Sequence, residues 1–338
     1  MKRCCAVLLC ILSLALIGCG QEKRMLHDVG EYQKVRMVMA VNGTERGIDT
    51  MVARKFSQLV DEETNGRVHI EVYPRDQLAG GNTTKGVEMI ANGSVDLAAY
   101  TSGTMAILDE RLSVGTIPWS YQSYQEARKV IDETGGAYYA KLLEMQGIRY
   151  LGSTHNGFRQ LTNDKRPVRN VEDMQGLKIR VLGKQGSYFL FFQALGAEPI
   201  PLSWSELPTT IRQGTTDGQE NSYLTILSAN LDDIQKYMTI WNYAYENYIF
   251  VANTKSLDML EPKTQAMLQE KMTAACNWGR DYMEENEQRF LRECIANGME
   301  VIELSLEERT KFQERTQSLI GHLKEKYGAE ACEAFRIP

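Results

Sequence analysis

The stretch VRMVMAVNGTERGIDTMVARKFSQLVDEETNGRVHIEVYP, Val35 to Pro74, decides how the rest of the chain is read. It opens on a short apolar run, passes through the polar turn NGTERG, continues with apolar residues at helical spacing, and closes on a second β-branched run. The spacing predicts a helix over Thr50 to Glu63 between two strands. Strand, helix and strand of these lengths make a βαβ unit, whose two strands lie parallel in one sheet. The alternation continues with a helix over Thr83 to Ala91, the strand VDLAAYT, a helix over Tyr124 to Met145 and the strand IRYLGST. These complete one α/β lobe around a mainly parallel sheet.

A second lobe starts near Asn156 with FRQLTN, followed by the strand LKIRVL, a helix over Ser187 to Leu195, the strand AEPIPL and a helix over Ser203 to Gln213. The segment TTDGQEN, Thr215 to Asn221, then sits at the end of a very short strand. The run YMTIWNYAYENYIFVANT reads as one long strand returning toward the first lobe, so the chain crosses between lobes more than once and each domain is discontinuous. Helices over Pro262 to Cys294 and Ser305 to Phe335 flank a last strand, GMEVIEL. The expected domains are residues 35–155 plus 243–284 for lobe I, and 156–242 plus 285–338 for lobe II.

Ahead of both lobes, Met-Lys-Arg and the apolar run CCAVLLCILSLALIG form an export signal over residues 1–18, too short to span a bilayer. Its end, LIGC at Leu16 to Cys19, resembles the lipobox of bacterial lipoproteins, in which the chain is cut before the cysteine and the cysteine is lipidated. Gly20 after it leans toward the outer membrane. Residues 19–34 then read as a polar tether, and the expected location is the periplasm or cell surface, anchored through Cys19. Cleavage removes Lys2 and Arg3 and leaves 36 basic against 44 acidic residues, a formal charge of −8 that argues against nucleic acid as a partner. Beyond Cys19 only Cys276, Cys294 and Cys332 remain, an odd number with no CxxC, which argues against a disulfide scaffold and leaves room for one bridge. His27, His69, His155 and His322 never fall at ligand spacing, so neither a metal nor a cofactor is expected.

No GxSxG, GxGxxG after a strand, GxxxxGK[ST] or HExxH occurs. The glycine-rich LAGGNTT, Leu78 to Thr84, reads as a turn capped by Asn82 or Thr83. Asp217 and Glu220 in TTDGQEN offer the one carboxylate pair that could act as acid and base, but an Asp-Gly step is more often turn chemistry. Binding chemistry is better supplied. Arg180 lies at the carboxyl end of LKIRVL, where open α/β sheets hold ligands, and its planar fork matches a carboxylate. The same position also suits a surface salt bridge. Arg159 in FRQLTN has the same two readings, and Trp204 after AEPIPL is either core packing or an apolar wall.

The segment Arg166 to Ile226, with GLKIRV, ALGAEPIPLSWSEL and IRQGTTDGQEN in order, closely resembles the DctP-type solute-binding proteins of TRAP transporters, the tripartite ATP-independent periplasmic carriers. VYPRDQL and VDLAAYT upstream extend the resemblance from about Val35 to the chain end. It implies a two-lobed periplasmic-binding-protein-like clamp of class II type, with linking strands and a long bridging helix, that closes on an organic anion and passes it to small and large membrane subunits. On the family pattern Arg180 salt-bridges the ligand carboxylate, Arg159 is a second arginine of the site, Asn221 and Asn42 present amides, and Trp204 supplies the aromatic wall.

Where sialic-acid binders carry an acid after the third strand, Thr101 stands here, which disfavours an amine-bearing sugar. His155, Asn156 and Glu45 add hydrogen-bonding capacity suited to a hydroxylated acid, a uronate or other sugar acid, at least as well as to a C4-dicarboxylate. Two other readings stay open: a binding protein that feeds a sensor kinase or another carrier, and a carbohydrate-active enzyme working through Asp217 and Glu220.

Overall fold

A computed structural model describes residues 31–183 and 186–338. The expected signal, Cys19 and most of the tether lie outside the described residues. From the amino end, β1 (Val35–Val41), α1 (Ile48–Thr64), β2 (Val68–Tyr73), α2 (Thr83–Asn92), β3 (Leu97–Thr101) and α3 (Ser102–Met105) carry out the βαβ pattern. Helix α1 turns Val52, Ala53, Phe56 and Val60 onto the sheet and stops where Asn65 takes a left-handed conformation. Asn82 caps α2, its side chain accepting from Lys85 N at 2.9 Å. Then come α4 (Tyr124–Val130), a π turn at Ile131–Gly135, α5 (Gly136–Glu144), β4 (Ile148–Phe158) and β5 (Gln160–Asn163).

The second half contributes β6 (Lys178–Val181), α6 (Ser187–Ala194), β7 (Glu198–Pro201), α7 (Leu207–Arg212), β8 (Gly218–Asn221), α8 (Tyr223–Ser228), β9 (Tyr237–Ile240) and β10 (Tyr245–Asn253). The chain closes with α9 (Thr254–Asp258), α10 (Pro262–Ala296), β11 (Glu300–Glu303), α11 (Leu306–Tyr327) and α12 (Ala329–Ala334). Two sheets result, one ordered β2-β1-β3-β10-β4 and the other β11-β9-β5-β8-β6-β7. Strands β1, β2 and β3 run parallel, as do β6, β7 and β8, while β10 and β5 run antiparallel to their neighbours. The architecture is the two-lobed α/β clamp expected from the sequence. Among the described residues no helix is long and apolar enough to cross a membrane, and Cys276, Cys294 and Cys332 are free thiols.

Three local expectations change. The single long strand over Tyr237 to Thr254 is two strands in different sheets, separated by a kink in which Asn242 sits at φ 48°. The strand IRYLGST continues four residues further, through Phe158, and the helix over Ser305 to Phe335 divides at Gly328, φ 86°. The two crossings between sheets lie side by side: Arg159 N donates to Ala244 O at 2.9 Å, and Gln160 Oε1 accepts from both Trp241 N and Asn242 N at 3.1 Å. Behind the second sheet, Phe191 stacks on Tyr243 at 4.3 Å inside a cluster with Trp241, Phe192 and Phe312.

Candidate ligand-binding site

The carboxyl ends of β1, β3, β6 and β8 converge on a cavity of about 590 Å³, counting its open mouth. Asn42 and Thr44 follow β1, Thr101 and Thr104 follow β3, Arg180 and Leu182 follow β6, and Glu220 and Asn221 end β8. This is where open α/β sheets place ligands, because backbone and side chains fan outward as the strands stop. Of the residues singled out in the sequence, Asn42, Thr101, Asn156, Arg159, Arg180, Trp204 and Asn221 line it.

Arg180 is 5% exposed. Its Nε donates to Leu202 O at 3.0 Å and its guanidinium lies 5.6 Å from the Trp204 ring centroid. Among the described residues no carboxylate stands within salt-bridge distance of it. Burial therefore pulls its pKa down to about 10, with Glu220 opposing and Arg159 adding to the fall. A cation held out of water without a counter-ion is costly, and a ligand carboxylate offers the missing partner in matching planar geometry.

Arg159 stands in the opposite situation. Its Nε and Nη2 fork onto the Glu220 carboxylate, Nη2 also reaches Glu220 O at 2.8 Å, and Nη1 bonds Glu246. The Tyr188 ring covers it at 4.8 Å. Burial alone would lower this arginine, but the two glutamates outweigh that and hold it well above its usual value. Burial pushes Glu220 upward in turn, while Arg159 and the Tyr243 hydroxyl, 2.8 Å from its Oε2, pull it back. Asp217 and Glu220 do not form a pair. An odd separation along a strand sends side chains to opposite faces, and Asp217 Oδ2 instead accepts from Lys178 N at 2.8 Å and Lys165 Nζ at 3.0 Å. Nor does Gly218 make the turn. It is the first residue of β8, where a Cβ would fall 2.2 Å from Thr162 O, so its role is close strand approach.

The amides are partly committed. Asn42 Nδ2 donates to Asp76 Oδ2 at 2.6 Å, and Asn221 Nδ2 to Gln219 Oε1 at 2.7 Å. Thr101 Oγ1 shares a hydrogen bond with Thr104 Oγ1 at 2.9 Å and caps α3. Asn156 donates to Glu246 Oε2 at 3.2 Å and accepts from Ser222 and Thr225. Its neighbour His155 faces the other way, bonded to Tyr245 Oη at 2.6 Å and Glu284 Oε1 at 3.1 Å, and burial lowers its pKa. Alternation along β4 separates the two, and a bulge sharpens the separation: Gly157 pairs with Glu246 and His155 with Asn247, leaving Asn156 extra. Gly157 takes φ 121°, and a Cβ there would lie 2.6 Å from Tyr124 Oη. Glu45 is exposed, paired with Arg54 and outside the cavity lining.

Sequence reasoning missed Glu246, Tyr188, Thr83, Thr104, Thr225 and Ser228, all of which line the cavity. Glu246 carried a usable signal, the one charged residue in the aromatic-rich stretch YENYIF. Among the described residues no His, Cys, Asp and Glu side chains are grouped to hold a metal ion.

Two sheets meeting over a polar cavity that holds an unmatched guanidinium define a clamp for a small solute. The chain belongs to family 7 of the bacterial extracellular solute-binding proteins, DctP, whose family model matches residues 41–326. The 2,3-diketo-L-gulonate-binding periplasmic protein YiaO of Escherichia coli strain K12 is 29% identical over 252 residues, 75% of this chain and 76% of its own. The C4-dicarboxylate-binding periplasmic protein DctP of Rhodobacter capsulatus is 29% identical over 290 residues, 84% of this chain and 85% of its own. A TRAP periplasmic solute-binding protein from Ralstonia eutropha, crystallised with (S)-2-acetolactate, matches with a TM-score of 0.84 at 26% identity, over 89% of this chain and 98% of that one. The family consists of extracytoplasmic binding proteins of transporters, so this chain is a binding protein and not an enzyme.

Proposed function

We propose that this protein captures an organic anion, a sugar acid or uronate or a C4-dicarboxylate-like acid, and delivers it to the small and large membrane subunits of a TRAP-type permease. Lipid on Cys19 keeps it at the membrane surface once the signal is removed. The observation that carries the reading is Arg180, a buried guanidinium with no carboxylate partner among the described residues, opening on the cavity between the two sheets. Arg180 takes the ligand carboxylate, Trp204 walls the apolar side, and Asn221, Asn42 and Asn156 orient the remainder. Arg159 with its two glutamates braces the crossing rather than pairing with ligand. Lobe I, residues 35–155 plus 243–284, and lobe II, the rest of the folded chain, hinge where Arg159 and Ala244 run side by side. Ligand bridging both lobes favours the closed form by its higher affinity for that state.

The names of the relatives support this class, since they bind 2,3-diketo-L-gulonate and C4-dicarboxylates. The test is a thermal melt of the chain from Gln21 onward against sugar acids, uronates and C4-dicarboxylates, repeated on Arg180→Ala. A ligand at about a hundred times its dissociation constant adds about 2.7 kcal/mol, a rise of several degrees. An acid that shifts the wild type and not the variant supports the reading; equal shifts in both overturn it.

A further inference from the structure

We propose that Glu246 restricts this cavity to monocarboxylates whose far end carries hydroxyl groups, and turns dicarboxylates away. The inference rests on the proposed seating of a ligand carboxylate on Arg180. Among the described residues four charged side chains line the cavity: Arg159, Arg180, Glu220 and Glu246. Arg159 is spent on the two glutamates, with Nε, Nη1 and Nη2 all engaged. Among the described residues of the lining, Arg180 is thus the one guanidinium that no carboxylate already matches, and one cation balances one carboxylate. Protonating Glu220 would change the total charge but would free no second guanidinium, because Glu246 still holds Arg159.

Glu246 decides what else the cavity can hold. Its Oε2 is taken by Arg159 and Asn156, while Oε1 accepts from Gly103 N at 3.2 Å, with the Tyr188 hydroxyl also beside this carboxylate. Oε1 therefore keeps acceptor capacity for a ligand donor. A second ligand carboxylate near it would face a buried like charge, which is strongly unfavourable in a poorly solvated site. A ligand ammonium would meet the Arg159 guanidinium already bound to the same carboxylate. A hydroxyl suffers neither repulsion, and the neighbouring lining of Thr83, Thr101, Thr104, Thr225 and Asn156 is rich in groups that both donate and accept.

The experiment measures binding to the intact exported chain by titration calorimetry, with acids paired by carbon skeleton: gluconate with glucarate, galactonate with galactarate, threonate with tartrate, plus succinate and the zwitterion glucosaminate. At least one monocarboxylate should bind about 100-fold or more tightly than its dicarboxylate partner. Glu246→Gln, which keeps the shape and removes the charge, should narrow that ratio tenfold or more. If the variant fails to fold, the wild-type ratio carries the test. Equal affinity within the pairs, an unchanged ratio in Glu246→Gln, or tighter binding of glucosaminate than of gluconate overturns the inference. Succinate or a sugar diacid binding through Arg180 while every monocarboxylate fails also overturns it, yet leaves the organic-anion reading standing. Binding that survives Arg180→Ala unchanged, or no acid bound at all, removes that earlier reading and this inference with it.

Discussion

Replacing Arg180 by methionine should make the ligand-free protein more stable while abolishing its response to ligand. Burial holds the guanidinium at about 10, against an ordinary value above 12. A gap of about 2 pH units at ~1.36 kcal/mol per unit opposes folding by ~3 kcal/mol. The sign follows from linkage. A base whose folded pKa is lowered carries its full penalty below that folded value, and the penalty fades only as pH climbs from about 10 toward the unfolded value. At pH 7 it is fully present. Methionine removes the charge and keeps most of the length, but it leaves Leu202 O without its donor, a loss of ~1 kcal/mol. It also gives up the stack on Trp204, worth ~0.5 to 1 kcal/mol. The balance is a gain of ~1 to 1.5 kcal/mol, read by urea unfolding at pH 7 without ligand, with a melting rise of ~2 to 4 °C per kcal/mol at most for a chain of this size. A variant less stable than the wild type by ~1 kcal/mol or more would mean that Arg180 is satisfied within the protein, and the argument for an unfilled anion site would fall.

Arg159→Met should do the reverse, costing ~3 to 5 kcal/mol at pH 7 because Glu220 and Glu246 stay buried without their counter-ion. Burial already pushes Glu220 upward, and losing Arg159 removes the charge that pulls it back, so the deficit should shrink at pH 5; a loss below ~1 kcal/mol, or one independent of pH, would contradict the geometry. Gly218→Ala should cost ~3 kcal/mol, since its Cβ would meet backbone at Thr162 O, 2.2 Å away, and push β8 from β5. An unshifted melting curve would show that the strands can separate there without consequence.

Much of the fold was legible because it is written in local periodicity. The βαβ run from Val35 to Pro74 needs only the period-two and period-3.6 patterns and a turn to be recognised. The long strand over Tyr237 to Thr254 was misread for the same reason: β9 and β10 are equally apolar, and nothing in their pattern says that they belong to different sheets. The kink between them depends on Gln160 holding Trp241 and Asn242 from another strand.

The candidate site divides along the same line. The position of Arg180 at a strand end, with Trp204 after the next strand, follows from chain order alone, since parallel strands bring their carboxyl ends to one edge. Residue order could not show that Arg159 is claimed by Glu220, 61 positions away, and by Glu246, 87 positions away. It could not separate His155 from Asn156, which a bulge and the pleat send to opposite faces. Local pattern sets which element forms, because hydrogen bonds and apolar faces repeat over a few residues. Which charges neutralise each other, and which is left for a ligand, depends on distances between elements that only the packed chain brings together.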